Sequence, residues 1–260
     1  MGETRDSKVE YDFSDKVAVV TGGSRGLGRE MVLALARHGA DVVIASRKLE
    51  ACEALAREVE ETTGRRALAH AAHVGDWQGC DSLAARALDH FGKVDILINN
   101  AGMSPLYPSL PEVSEELWDK VIGVNLKGPF RLSSILGAAM AAADGGSILN
   151  ISSIAAVMPT AIEIPYAAAK AGLNNLTIGL SRTFAPKVRV NCIMPGPFLT
   201  EISEAWPEAA FAHFERSVPL QRAGNPDEVV GAALYLVSDL ASYTTGAVLK
   251  IDGGAAYAPA

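Results

Sequence analysis

Short apolar runs alternate with longer amphipathic ones along nearly the whole chain. Val17–Val20 (V-A-V-V) is a continuous apolar run, and residues 31–38 follow it with the spacing of a helix that stops near Gly39. The same alternation predicts strands over 41–46, 67–72, 94–98, 147–151, 188–193 and 247–251. Between them it predicts helices over 49–63, 76–91, 114–143, 165–185 and 227–238, with Gly92 stopping the third helix. Residues 197–217, with Trp206, Phe211 and Phe214, form a mixed segment. Strands of about five apolar residues separated by helices imply a parallel sheet covered on both faces. The predicted architecture is α/β: one doubly wound parallel sheet of about seven strands, spanning 16–260, behind a flexible N-terminal leader over 1–15. Ligands of such a sheet bind at the carboxyl ends of its strands.

Composition narrows the class. Hydrophobic residues make up 49% and charged residues 20% of the 260, which fits a globular protein with ample core. A net charge of −7 argues against a broad nucleic-acid surface, and no uninterrupted apolar run is long enough to span a membrane. The three cysteines, Cys52, Cys80 and Cys192, stand far apart with no C-x-x-C, so a reducing, cytoplasmic location is expected. The five histidines lack metal-ligand spacing, and no metal is expected.

The stretch Thr21–Gly28, T-G-G-S-R-G-L-G, lies between the first apolar run and the first amphipathic one. A glycine turn entering a helix N-terminus suits a pyrophosphate, because unpaired N–H groups face the ligand and glycine permits close approach and positive φ. Gly22, Ser24, Arg25, Gly26, Leu27 and Gly28 are therefore candidate dinucleotide contacts. At the end of the second strand stand Ser46 and Arg47 rather than an acid. An acid would repel a ribose 2′-phosphate, whereas the Arg25 and Arg47 guanidiniums would fork onto one, so NADP(H) is expected over NAD(H).

Further motifs occur in a fixed order: N-N-A-G at 99–102, Asn125 in V-N-L, N-I-S-S at 150–153, Y-A-A-A-K at 166–170, P-G-P-F-L-T at 195–200 and D-G-G at 252–254. With the glycine turn they make the chain resemble the short-chain dehydrogenase/reductase family from Lys16 to about Gly254. The resemblance implies a three-layer Rossmann fold, nicotinamide chemistry on ketones and secondary alcohols, and a homotetramer or homodimer. It assigns Asn125, Ser153, Tyr166 and Lys170 to catalysis. It adds Val74, Asn100, Ala101, Gly102, Tyr166, Lys170, Pro195, Gly196, Phe198 and Thr200 to the cofactor contacts. His73 stands where many members carry an Asp, and Pro197 stiffens the loop whose backbone near Phe198 is expected to reach the carboxamide.

Tyr166 and Lys170 are four apart and share a helix face, and Pro165 puts the phenol in the first turn. The ordinary phenol pKa of about 10 is expected to be pushed down by the Lys170 ammonium and the helix N-terminus. Ser153 would hold the substrate oxygen near the phenol, with Ser152 turned to the other side by strand alternation. The sequence thus predicts an NADP(H)-dependent ketoreductase or alcohol dehydrogenase acting on a small carbonyl or alcohol. Contrasting readings are a non-catalytic NADP(H) sensor and an NAD-dependent sugar or alcohol dehydrogenase. Residues 154–164, the loop carrying Met103, Leu106 and Tyr107, and the 197–217 segment are expected to shape the pocket. Glu163 reads either as a substrate contact or as a solvated loop acid.

Overall fold

A computed structural model describes residues 10–200 and 216–256. Seven parallel strands form one sheet in the order β3-β2-β1-β4-β5-β6-β7: β1 Val17–Thr21, β2 Asp41–Ser46, β3 Ala67–Ala71, β4 Ile96–Asn99, β5 Gly146–Ile151, β6 Val188–Pro195 and β7 Val248–Ile251. The register is continuous; Ala18, for instance, faces Val42 on one side and Ile96 on the other. The helices are α1 Gly26–Arg37, α2 Leu49–Thr63, α3 Trp77–Phe91, α4 Glu115–Ile122, α5 Gly128–Ala142, α6 Ile164–Phe184 and α7 Val230–Val237. The expected fold, strand number and layering are all present.

Strand alternation separates two cores. Ala18, Val20, Val42 and Ile44 pack with α1, α2 and α7, whereas Val17, Val19, Val43 and Ala45 pack with α3 and α5. Both faces are covered, so the strands are apolar at successive positions rather than alternating with polar ones. Local chemistry sets the helix ends. Asp76 caps α3 by accepting from Gly79 N–H at 3.1 Å, and Ser114 caps α4 by accepting from Leu117 N–H at 3.1 Å. Gly64 and Gly92 close α2 and α3 in left-handed conformation at φ 69° and 77°.

Two expected elements differ in detail. The helical region 114–143 is interrupted by a π-helical stretch at Gly123–Lys127 between α4 and α5. The helix expected from Asp227 begins instead with a 3₁₀ turn, Pro226–Val229, which Asn225 and Glu228 cap reciprocally. Residues before Lys16 also take part in the fold. Phe13 is fully buried in the first core, its N–H donates to His38 carbonyl at 2.8 Å, and Tyr11 stacks on its ring. Of the expected leader, Tyr11 and Phe13 thus pack into the fold.

The strand order reverses between β1 and β4. That opens a crevice at the carboxyl ends of these neighbours, where the Thr21–Gly28 turn and the residues after Asn99 meet.

Candidate active site

The glycine turn is held from the β4 side. Thr21 Oγ1 accepts from the N–H groups of Asn100 (3.0 Å) and Ala101 (3.1 Å), and the Asn100 amide donates to the Thr21 (3.0 Å) and Gly22 (3.1 Å) carbonyls. Gly22 and Gly26 have φ of 62° and 52°, the left-handed region where a side chain is strained. A Cβ on Gly28 would collide with the Gly22 carbonyl oxygen and the Asn100 amide. α1 starts at Gly26 with Arg25 as an extended cap residue and no side-chain cap, so its first N–H groups keep no side-chain acceptor. This cradle, shaped for backbone and not side chains, fits a dinucleotide pyrophosphate.

Beside it, Ser24 Oγ donates to Ser46 Oγ at 3.0 Å, and Ser46 Oγ lies 3.0 Å from Cys52 Sγ. The hydroxyl pair ties the turn to the end of β2. Arg25 and Arg47 flank it, both exposed, and neither forms an ion pair with a described residue. Val74 is buried, with its carbonyl packed on Gly128, and His73 is exposed.

The second cluster assembles at the ends of β4, β5 and the start of α6. Ser153 follows β5 and caps a 3₁₀ turn, Ile154–Ala156, accepting from Ala155 N–H at 3.2 Å. Its hydroxyl also lies near enough to the Tyr166 phenol, in the first turn of α6, to lower the phenol's pKa. Ser152 turns the other way, donating to Lys170 carbonyl at 3.2 Å. Lys170 is 3% exposed; its Nζ donates to Ile151 carbonyl at 2.7 Å and lies 5.6 Å from the Tyr166 ring centroid. Asn125, fully buried in the π-helical stretch, donates to the Met103 (2.8 Å) and Val121 (2.9 Å) carbonyls and accepts from Met103 N–H (3.2 Å). A Cβ on Gly102 would stand 3.1 Å from Asn125 Oδ1 and 3.5 Å from Lys170 Nζ, so these residues converge on one point.

The electrostatics differ from the sequence expectation. Burial pushes the Tyr166 phenol up to about 12, with the Ser153 hydroxyl opposing the rise and the Glu163 carboxylate adding to it. Burial outweighs the neighbouring Lys170 ammonium, which lies 5.6 Å from the ring centroid and donates to the Ile151 carbonyl. Burial in turn pushes Lys170 down to about 8.

The loop from Pro195 runs along the far edge of the crevice. Gly196 N–H donates to Ile251 carbonyl at 3.0 Å, and Pro197 carbonyl and Leu199 N–H both pair with Gly224 at 2.9 and 2.8 Å. The Phe198 ring is buried in the core against Gly224, so only its main chain is placed to meet a ligand. Thr200 ends this described stretch; Trp206, Phe211 and Phe214 lie outside the described residues.

Three supports were not anticipated from the sequence. Asn99 donates to Ser133 (3.0 Å) and Asn150 (2.9 Å), and Asn150 donates to Thr177 (2.9 Å), a buried polar chain joining β4, β5, α5 and α6. Tyr107 Oη donates to Ala161 carbonyl (2.9 Å) and accepts from Ile164 N–H (3.0 Å). Glu163 accepts from the Thr160 hydroxyl at 2.9 Å. Asparagines repeated at strand ends were the only sequence signal for the first; the other two had none.

Comparison with known proteins shows the family and agrees with the fold. A family model described as enoyl-(acyl carrier protein) reductase matches residues 22–256. A 3-oxoacyl-[acyl-carrier-protein] reductase of Chlamydia muridarum is 36% identical, covering 93% of this chain and 98% of its own. An NAD-dependent glycerol dehydrogenase of Listeria innocua is 36% identical, covering 94% and 95%. The crystal structure of L-sorbose reductase from Gluconobacter frateurii, complexed with NADPH and L-sorbose, superposes with a TM-score of 0.90 at 30% identity, covering 96% of this chain and 100% of that one.

Proposed function

The chain belongs to the short-chain dehydrogenase/reductase family and is an oxidoreductase, and on that premise we propose that it interconverts a ketone and a secondary alcohol with NADP(H), Tyr166 carrying the proton. The observation that carries the reading is the convergence of Ser153, Tyr166 and buried Lys170 at the start of α6, with Lys170 Nζ 5.6 Å from the Tyr166 ring centroid. When bound, the nicotinamide supplies or accepts the hydride. Gly22, Ser24, Gly26, Leu27 and Gly28 would hold the pyrophosphate end, with Val74, Asn100, Ala101 and Gly102 along the adenosine and ribose. Pro195, Gly196, the Phe198 main chain and Thr200 would bound the carboxamide side. Arg25 and Arg47, free of ion pairs with described residues, support the 2′-phosphate preference. The NADPH of the sorbose reductase agrees with that preference, whereas the glycerol dehydrogenase uses NAD.

In reduction, Ser153 would hold the substrate oxygen while Tyr166 donates its proton to it. The Lys170 ammonium offsets the negative charge left on the phenol, and Asn125 braces the backbone around Met103. A phenol near 12 stays protonated through the working range, so the pH limit falls on Lys170, near 8. Lys170 is charged below that value and neutral above it. The expected kcat/KM for reduction is level on the acid side and falls about tenfold per pH unit above about 8. A profile still level about two units higher would remove Lys170 from this role.

A homotetramer or homodimer is part of the same proposal. An apolar groove of about 490 Å³, with Ile122, Leu126, Phe130 and Leu176 among its lining residues, runs along α5 and α6. Light scattering should give a mass of two or four chains, and Phe130→Glu should lower it; a monomeric parent protein would refute the assembly. Among the described residues no helix is long and apolar enough to cross a membrane, and the three cysteines are free thiols. Both support a cytoplasmic enzyme.

A further inference from the structure

The loops around Ser153 and Tyr166 carry large apolar side chains that point to solvent instead of the core. Leu106 is 76% exposed, Ile162 58% and Met158 42%, and Val157 and Ile164 are also exposed. They are drawn to one place. The Ser153 turn leads directly into Val157 and Met158, whose N–H donates to Ile154 carbonyl at 2.9 Å. Residues 160–163 lead back into α6 just before Tyr166. Tyr107 then pins the loop carrying Leu106 against this return, through Ala161 and Ile164. A monomer scatters exposed apolar residues; five gathered at the mouth of a polar catalytic cluster describe a surface that a ligand's apolar body would cover.

Charge on the same loops is one-sided. From Met103 to Pro111 and from Ser153 to Pro165 there is no Lys or Arg, and the single charged residue is Glu163. Thr160 holds that carboxylate, and its field reaches the Tyr166 phenol. The 216–225 loop carries two cations among its described residues, the exposed Arg216 and Arg222, which Glu228 engages at 2.6 Å. On the 103–111 and 153–165 loops an anionic substrate, or a thioester brought on a phosphorylated carrier, would meet no cation and would face the Glu163 carboxylate, whose field reaches the phenol.

Resting on the oxidoreductase reading above, we propose that the substrate is an uncharged ketone with an apolar body, gripped by Leu106, Met158 and Ile162, and that Glu163 selects against anions. The class is therefore narrower than the carbonyl compounds named for the relatives, and it separates this chain from reductases that take acyl groups on phosphorylated carriers.

The test compares kcat/KM for ethyl acetoacetate, acetoacetate and acetoacetyl-coenzyme A, using whichever of NADPH and NADH gives the faster rate. The neutral ester should exceed both anions by about tenfold or more, and lengthening its alkyl group should raise kcat/KM further. Glu163→Gln should narrow the ester-to-acetoacetate ratio several-fold, and Ile162→Ser should raise KM for the longer esters with kcat retained. Acetoacetate or the coenzyme A thioester matching the ester would overturn the proposal while leaving the oxidoreductase assignment intact. A Glu163→Gln ratio unchanged from the parent would overturn the part given to Glu163. No turnover of any neutral ketone with either cofactor would instead remove the proposed function, and this inference with it.

Discussion

Tyr166→Phe is expected to lower kcat for ketone reduction by about 10²–10⁴-fold, the range associated with a positioned proton donor. The substitution removes one oxygen beside Ser153 and leaves the ring that packs beside Lys170. A hydroxyl's hydrogen bond contributes about 1 kcal/mol in general, so the variant should fold with at most a small fall in Tm. The cradle that would hold the pyrophosphate lies on Thr21–Gly28 and Asn100, and no contact within it involves the phenol. NADPH affinity should therefore stay within about twofold of the parent, with chemistry and not binding lost. Activity retained in this variant would assign proton transfer to another group.

Arg25→Ala combined with Arg47→Asp carries the second large effect. Each guanidinium offers charge-assisted hydrogen bonds to a 2′-phosphate, at about 1.5–3 kcal/mol apiece. Losing both, with 1.4 kcal/mol per factor of ten, corresponds to about 10²–10⁴ in kcat/KM for NADPH. The introduced acid at position 47 stands next to Ser46, where it can accept from ribose hydroxyls, so NADH use should hold or improve. Equal losses with both cofactors would mean that the two arginines act on something other than the phosphate.

Much of this molecule is legible in the chain because its signals are local. Asp41–Ser46 and Leu49–Thr63 occupy the residues their periodicity predicts, since an apolar strand ends where polar helix-initiating residues begin. The glycine turn is equally local: glycine at 22 and 26 permits the positive φ that the turn takes there. What stayed hidden depends on contacts across the fold. Gly123–Lys127 continues a helical pattern in sequence, and only the Asn125 bonds to Met103 from within it reveal what the π-helical stretch accommodates. Tyr107 sits among prolines with nothing to mark its hydroxyl as a latch onto Ala161 and Ile164. The direction of the Tyr166 pKa is hidden from the sequence for a related reason. Four-residue spacing places a lysine on the same helix face, but it does not show that burial dominates or that Ile151 carbonyl engages the ammonium. Phe13, likewise, is buried by packing into the first core, with its N–H bonded to His38 carbonyl at the end of α1.

The most direct test of the central claim follows reduced nicotinamide and product together, with an apolar ketone and the unmodified protein. Consumption of NADPH in step with formation of one alcohol per cofactor, faster than with NADH, is the predicted result. NADPH that binds but is not consumed by any ketone, or NADH consumed in preference to it, would contradict an NADP(H)-dependent carbonyl reductase.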